Sequence, residues 1–184
     1  MDIFKKLVMS GLPLLLIFLL YGCHHDQKNA ENIYHHLEKS ARFERSFADQ
    51  QRTLVKVGHD EQRLYDKIIS SSVGHAREIK TDIKKAQEYN MKREQHLKAS
   101  KKHFDRAFTT VSAIKPVVKE IKSPEQKKEA SEIIKLMEKR YHLYQAYHKE
   151  YMDALTLNQE LYKRLAKQEY KASKLDKQIA KINQ

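Results

Sequence analysis

The sequence predicts an all-α protein, folded as an elongated antiparallel three-helix bundle with coiled-coil-like seams. Only 4 glycines and 3 prolines occur in 184 residues, while 33% of the residues are charged. That composition is typical of long solvated helices and not of a sheet protein with many turns. Three stretches, about 30–70, 73–122 and 124–182, carry apolar residues at spacings of three and four. Two short turns between them favour antiparallel packing within one unit, 30–184.

The N-terminal stretch, residues 1–22, is typical of a secretory signal peptide. The basic pair Lys5 and Lys6 precedes an apolar run from Leu7 to Tyr21. This run is shorter than the ~20 residues that a membrane-spanning helix needs. It also contains Pro13. A cleaved signal is therefore favoured, and an uncleaved membrane anchor is the alternative.

The end of this run, Leu20 to Cys23, resembles a bacterial lipobox. The resemblance implies that the Cys23 thiol receives a diacylglyceryl group and that cleavage after Gly22 makes it the first mature residue. Tyr21 departs from the pattern, which has a small or β-branched residue there, so slow cleavage stays open. We expect residues 23–29 to form a lipidated polar tether, and the body to lie outside the cytoplasmic membrane.

The first two helices are predicted from amphipathic stripes. The first stripe is interrupted by Gly58, a position that would tolerate a bend. Pro116 should kink or break the second helix near its end. The first stripe contains Ile33, Leu37, Phe43, Phe47, Leu54, Val57, Leu64, Tyr65 and Ile68, and the second Ala76, Ile79, Ile83, Ala86, Leu97, Phe104, Ala107, Val111, Ile114, Val118 and Ile121.

The third helix should begin at Pro124, because Ser123 supplies an N-cap and Gln126 is placed to complete a capping box. Its seam then continues with polar interruptions to the end of the chain. The predicted seam residues are Ile134, Met137, Tyr141, Tyr144, His148, Tyr151, Leu155, Asn158, Tyr162, Leu165, Glu169, Ala172, Leu175, Ile179 and Ile182.

The formal net charge of +12 indicates an anionic partner. Export makes nucleic acid an unsuitable partner and leaves membrane phospholipid or wall polymer. Two segments concentrate the cations: residues 92–106, where Lys98, Lys101 and Lys102 are the candidate polyanion-binding residues, and residues 163–184. The alternative interpretation of both segments is an ordinary solvated helix face.

The four tyrosines at 141, 144, 147 and 151 form the most conspicuous aromatic group. Three of them, Tyr141, Tyr144 and Tyr151, follow the core register, which favours a role in filling a wide seam. Tyr147 is the one most free to face outward. It is therefore the candidate for stacking on a sugar or peptide.

Catalytic, metal and cofactor chemistry have little basis in the sequence. Cys23 is the single cysteine, and lipidation would consume it, which excludes disulfides and cysteine-ligated zinc from the mature chain. No second Glu-x-x-His segment accompanies the reversed His75–Glu78 pattern, so a di-iron site is not expected. We expect a non-enzyme without metal, whose one attached group is the diacylglycerol on Cys23.

Two patterns resemble the family of Gram-positive lipoproteins named for cell-wall binding, the YkyA-like proteins. They are the run Arg140–Tyr144 with Tyr151, Glu160–Tyr162 and Ile179–Asn183, and the earlier run Glu61–Ile69. The resemblance covers nearly all of the mature chain. It implies an all-helical lipoprotein on the outer face of the membrane, near peptidoglycan, and it supplies no catalytic residues.

Two functional hypotheses follow. In the first, a membrane-anchored bundle binds anionic wall polymer such as teichoic acid, or peptidoglycan itself. In the second, the bundle is a scaffold or regulator that engages a helix of another envelope protein. Salt distinguishes them, because contacts to phosphate weaken steeply with salt and apolar helix packing does not.

Overall fold

The computed structural model describes residues 24–70 and 76–167, and within these ranges it contains helices and no strand. The helices are α1 (His24–Ser70), α2 (Ala76–Ser112), the short α3 (Lys115–Glu120) and α4 (Pro124–Ala166). At 1.5 Å per residue, α1 is about 70 Å long, α2 about 55 Å and α4 about 65 Å. The predicted all-α bundle is confirmed.

The contacts between side chains give the direction of each helix. Ser40 and Glu61 of α1 bond to Ala107 and Arg93 of α2, so the residue numbers run in opposite directions along the pair. Between α2 and α4 the order is again reversed, because Ser100 bonds to Tyr144 while Asn90 bonds to Leu155. Helices α1 and α4 consequently run parallel to each other, and each is antiparallel to α2.

The apolar stripes meet along the axis of the bundle in three clusters, separated by polar layers. Each fully buried Leu, Ile or Phe side chain contributes about 1.5–3 kcal/mol to folding. The clusters consist of Ile33, Phe47, Phe104, Ala107, Val111, Ile114, Val118, Ile121, Ala130, Ile134, Met137 and Tyr144; then Leu54, Leu97 and Leu155; and then Ile68, Ile83, Ala86, Leu161, Tyr162 and Leu165. Nearly all of these residues belong to the predicted stripes.

Both predicted interruptions near the end of α2 are present. Helix α2 ends at Ser112, and α3 begins at Lys115 with Pro116 in its first turn. Proline has no N–H, and its ring clashes with the carbonyl four residues earlier, which is the carbonyl of Ser112. Ser123 caps α4 by accepting a hydrogen bond from the Gln126 N–H at 3.5 Å, and Pro124 is the first helical residue.

The predicted polar tether is wrong for residues 24–29, because α1 already begins at His24. The carboxylate of Asp26 explains why this segment belongs to the fold. It is buried and accepts hydrogen bonds from the backbone N–H groups of Lys122 and Ser123, at 3.0 and 3.1 Å. The first turn of α1 is thus fastened to the junction between α3 and α4.

Candidate functional site

Lys98, Lys101 and Lys102, here called the α2 lysines, occupy the middle of α2. Lys98 and Lys102 are exposed and lie one helical turn apart, whereas Lys101 is half-buried beside α4. The helix therefore places two of the three ammonium groups in solvent.

Two of the α2 lysines form ion pairs within their own helix. Lys98 pairs with Glu94, and Lys101 Nζ lies 2.7 Å from an oxygen of Asp105. Lys102 makes no ion pair with any residue in the described ranges. The exposed pair between Lys98 and Glu94 contributes only about 0–1 kcal/mol, so another anion could replace that carboxylate.

The neighbouring cations in segment 92–106 differ in their availability. Lys92 lies over the ring of Tyr89, and Arg106 lies over the ring of Phe43, with cation-to-centroid distances of 5.2 and 5.1 Å. Arg93 is held in a buried ion pair and is unavailable to a surface ligand. Fewer cations of segment 92–106 are therefore available on the surface than the sequence predicts.

Tyr147 does not face outward, contrary to the expectation that made it a stacking candidate. Its half-buried ring packs between two core clusters, with ring centroids 5.8 Å from Tyr144 and 5.6 Å from Tyr151. Burial, followed by the charges of Tyr151 and Tyr144, raises the pKa of Tyr147 above its usual value. The helix turns this residue toward the core, where its ring packs against residues of both clusters.

The other aromatic residues confirm their predicted role in the core. The ring of Tyr141 stacks on Phe108 with a centroid separation of 3.8 Å. Tyr144 packs edge-on against Phe47 and donates a hydrogen bond to Ser100 Oγ at 3.0 Å. Burial raises the pKa of Tyr144 to about 12, against the opposing effect of its bond to Ser100. Other side chains therefore already pack against the rings of Tyr141 and Tyr144.

A buried group of polar side chains, here called the central network, was not predicted. Glu61 is only 2% exposed, and its carboxylate lies 2.8 Å from Arg93 Nη1. Arg93 also donates to the hydroxyl of Tyr151, at 2.6 Å from Nη2, and the hydroxyl of Tyr162 donates to Glu61 at 2.9 Å. One residue from α1, one from α2 and two from α4 are therefore joined.

Burial and neighbouring charges shift the pKa values of residues in the central network. Burial alone would lower the pKa of Arg93, but the charges of Glu61 and Tyr151, and the hydrogen bonds that Arg93 donates to both, outweigh it, and the pKa is raised. Burial and the charge of Glu61 also raise the pKa of Tyr162. Gly58, one turn before Glu61, lies beside the guanidinium, and a Cβ there would make an ordinary van der Waals contact 3.6 Å from Arg93 Nε. The network holds the three long helices in register.

His148 lies on the edge of α4 that faces the α2 lysines. Burial, and then the positive charge of Lys101, lower the pKa of His148. Its Nε2 atom has no hydrogen-bond partner among the described residues. This edge of the α2–α4 seam is therefore lined by lysines and a neutral imidazole.

Several predicted features lie outside the described residues. They include the signal peptide, the lipid-attachment residue Cys23, the seam residues beyond position 167, and most of the second basic segment, 163–184. Within residues 24–70 and 76–167, no three metal-ligating side chains come together. Nor is any helix in these ranges long and apolar enough to cross a membrane.

Comparisons with known proteins identify the family to which the chain is similar. The family model YkyA, described as "Putative cell-wall binding lipoprotein", matches residues 28–184. The chain is also similar to the "Uncharacterized lipoprotein YkyA" of Bacillus subtilis (strain 168). The two are 33% identical over 168 residues, which cover 91% of this chain and 75% of the relative. No solved structure matches the chain.

Proposed function

Because the chain belongs to the YkyA family of lipoproteins, we propose that it is a membrane-anchored protein on the extracytoplasmic face whose helical body binds the cell wall. Two acyl chains on Cys23 would supply the anchor, since one chain alone holds a protein only marginally. No catalytic step is part of this proposal. In this proposal, the diacylglycerol is the only group attached to the protein.

The beginning of α1 supports a body that stands directly on the membrane. The helix starts at His24, the residue after Cys23, and Asp26 fastens it to the α3–α4 junction. An upright bundle would then extend about 70 Å from the bilayer, given the length of α1. That extension would carry the α2 lysines away from the lipid and into the wall.

The observation that carries the proposal is the solvent exposure of Lys98 and Lys102 on one face of α2. Ammonium groups bind phosphate as point charges and make little geometric demand, which suits a flexible polymer such as teichoic acid. Because the exposed pair between Lys98 and Glu94 is weak, phosphate groups can compete for Lys98. Such binding would be modest, broadly specific and sensitive to salt.

Sedimentation with purified walls tests the proposal. A soluble form beginning at His24 lacks the lipid, so any binding must come from the protein surface. Changing Lys98, Lys101 and Lys102 together to Gln should weaken sedimentation several-fold. The matched control changes the exposed α4 residues Lys128, Lys135 and Lys139 to Gln, with the same loss of charge.

The outcome depends on both the variant and the wall. Walls stripped of teichoic acid should bind less of the parent protein. If stripped walls bind equally well and the two triple variants behave alike, the polyanion mechanism is wrong. Tyr147→Ala is not a clean probe of stacking, because that ring packs against the core.

A scaffold function is the second candidate, and it has its own observation. Leu136 and Leu143 are 62% and 58% exposed, and their separation of seven residues puts them on one face of α4. A partner helix could bury both side chains. Capture of an envelope protein that persists at high salt, and that Leu136→Ala with Leu143→Ala abolishes, would favour this function over wall binding.

A further inference from the structure

Four polar side chains come together where α2 packs against α4. They are here called the His148 cluster, which consists of Lys101, Asp105, Gln145 and His148. Both oxygens of the Asp105 carboxylate already have a donor, because Lys101 donates to Oδ2 at 2.7 Å and Gln145 donates to Oδ1 at 3.2 Å. The side chains of Lys101 and Asp105 are 31% and 36% exposed. Their ion pair is thus partly withdrawn from solvent, and losing Lys101 would leave the carboxylate without a counter-charge.

The imidazole of His148 is placed to act on the same carboxylate. His148 follows Gln145 by one helical turn, so the two side chains share the edge of α4 that faces Asp105. The half-buried ring lies 6.3 Å from the ring of Tyr144, and its Nε2 has no partner in the described part of the chain. No acceptor therefore holds a second proton on the imidazole while Lys101 occupies Asp105.

The charged residues that act on His148 belong to α2. Burial is the largest cause of its lowered pKa, and the charge of Lys101 lowers that pKa further. Asp105 acts in the opposite direction, and Lys98 again lowers the pKa. Without a bound anion the imidazole is therefore neutral at pH 7. An anion bound to Lys98 and Lys101 would cancel both positive charges, and only burial would still oppose a proton on His148.

We propose that the His148 cluster couples the uptake of one proton to the binding of a polyanion by the α2 lysines. The polyanion draws the ammonium group of Lys101 away from Asp105. His148 takes a proton from solvent, which forms one N–H bond on the imidazole, and replaces Lys101 as the counter-charge of that carboxylate. The identity of the polyanion as wall polymer rests on the proposed function, whereas the proton uptake requires only fixed negative charge.

Proton uptake and polyanion binding must then strengthen each other, because a coupling between two sites is reciprocal. A bound polyanion that raises the pKa of His148 by about 0.5–1 would itself bind about three- to tenfold more tightly in acid than at alkaline pH. The same proton makes Lys101 available, since Asp105 is no longer left uncompensated. The surface would thus hold its ligand most strongly where the surroundings are acidic.

Dextran sulfate is the probe that tests this coupling. Its sulfate groups keep their charge over the range of about pH 5 to 8 in which histidine titrates. NMR would measure the pKa of His148 in the soluble form beginning at His24, with and without dextran sulfate of low molecular weight. Binding should raise this pKa by about 0.5–1, and it should change the pKa of the exposed His142 less.

The affinity for dextran sulfate, measured at about pH 5.5 and pH 8, gives the coupling in the parent and in three variants. The parent should bind about three- to tenfold more tightly at the lower pH. His148→Gln should lose this preference, whereas His142→Gln, at an exposed position of the same helix, should keep it. Asp105→Asn leaves Lys101 without its carboxylate at both pH values. This variant should bind at pH 8 at least as tightly as the parent and show little dependence on pH.

The outcomes separate this inference from the proposed function. A raised pKa of His148, together with a flat pH response of His148→Gln, supports the coupling even if walls do not sediment with the protein. The inference is overturned if the probe does not bind, if bound probe leaves the pKa of His148 unchanged, or if His148→Gln and His142→Gln depend equally on pH. Wall sedimentation that depends on the α2 lysines would still stand if only the pH dependence fails.

Discussion

We expect the single substitution Arg93→Met to lower the free energy of unfolding of the bundle strongly. In Arg93→Met, the carboxylate of Glu61 keeps its bond from Tyr162 but loses its counter-charge, at a site only 2% exposed. Breaking a buried ion pair by removing one partner costs about 3–5 kcal/mol. The hydroxyl of Tyr151 also loses its two bonds from the guanidinium. We therefore expect a loss at the upper end of that range.

A double variant distinguishes the uncompensated charge from simple loss of packing. Glu61→Leu with Arg93→Met removes both charges, and replacing a buried pair by apolar residues is often neutral. The hydroxyl of Tyr151 loses its donors in both variants, and in the double variant the hydroxyl of Tyr162 also lacks its acceptor, at a cost of about 1–3 kcal/mol. The double variant should thus be more stable than Arg93→Met alone, which gives a coupling of several kcal/mol.

Urea unfolding followed by circular dichroism measures these free energies. The four proteins of the cycle are the parent, Arg93→Met, Glu61→Leu and the double variant. An equal slope against urea across the cycle would show that the changes affect stability and not compactness. A loss below about 1 kcal/mol for Arg93→Met would refute the reasoning, because it would mean that Glu61 is not left as a buried uncompensated charge.

Three further predictions concern the membrane end, the core and the anchor. Asp26→Ala should destabilise by about 2–3 kcal/mol, because it removes a charged acceptor from two N–H groups, and hydrogen exchange at Lys122 and Ser123 should accelerate; unchanged exchange would contradict the clamp. Burial raises the pKa of Tyr144 to about 12 in the folded state, so its neutral hydroxyl contributes stability that is fully present below pH 10. This contribution to the free energy of unfolding should be lost as the pH rises from 10 toward 12. An ultraviolet titration that shows Tyr144 ionising near pH 10 would contradict this prediction. Cys23→Ala should abolish labelling with fatty acid, and equal labelling of parent and variant would exclude the lipobox.

The fold could be predicted from the sequence because its determinants are local. Helical spacing identified the stripes, and Ser123 with Pro124 marked the start of α4. The break before Pro116 follows from the missing N–H and the ring of that residue. The start of α1 could not be placed in this way. The polar segment after Cys23 has no apolar pattern, and it is held by the long-range bonds of Asp26.

The sequence pattern predicts the central network only in part. Glu61 continues the spacing of Leu54, Val57 and Leu64, and Arg93 falls in the gap of the α2 stripe between Ala86 and Leu97. These gaps show that polar residues occupy core positions. They do not show which residues pair across helices, because that depends on how the helices align.

The candidate surface was predicted less well than the fold, for the same reason. Charge counted along the sequence cannot distinguish Lys102, which is exposed, from Arg93, which is buried in an ion pair. Tyr147 looked free because it falls outside the strict seam register. Its neighbours in two core clusters, which only the assembled bundle brings together, give its ring a place in the core.

The salt dependence of wall binding is the most direct test of the central claim. The dissociation constant of the soluble form for teichoic acid-containing walls would be measured over a series of salt concentrations. Each phosphate contact releases counterions, so the logarithm of the dissociation constant should rise steeply with the logarithm of the salt concentration. The variant in which Lys98, Lys101 and Lys102 are changed to Gln should show a shallower slope. The control variant at Lys128, Lys135 and Lys139 should keep the slope of the parent. A constant that does not change with salt, or equal slopes for the parent and the α2 variant, would contradict binding of the wall polyanion by this surface.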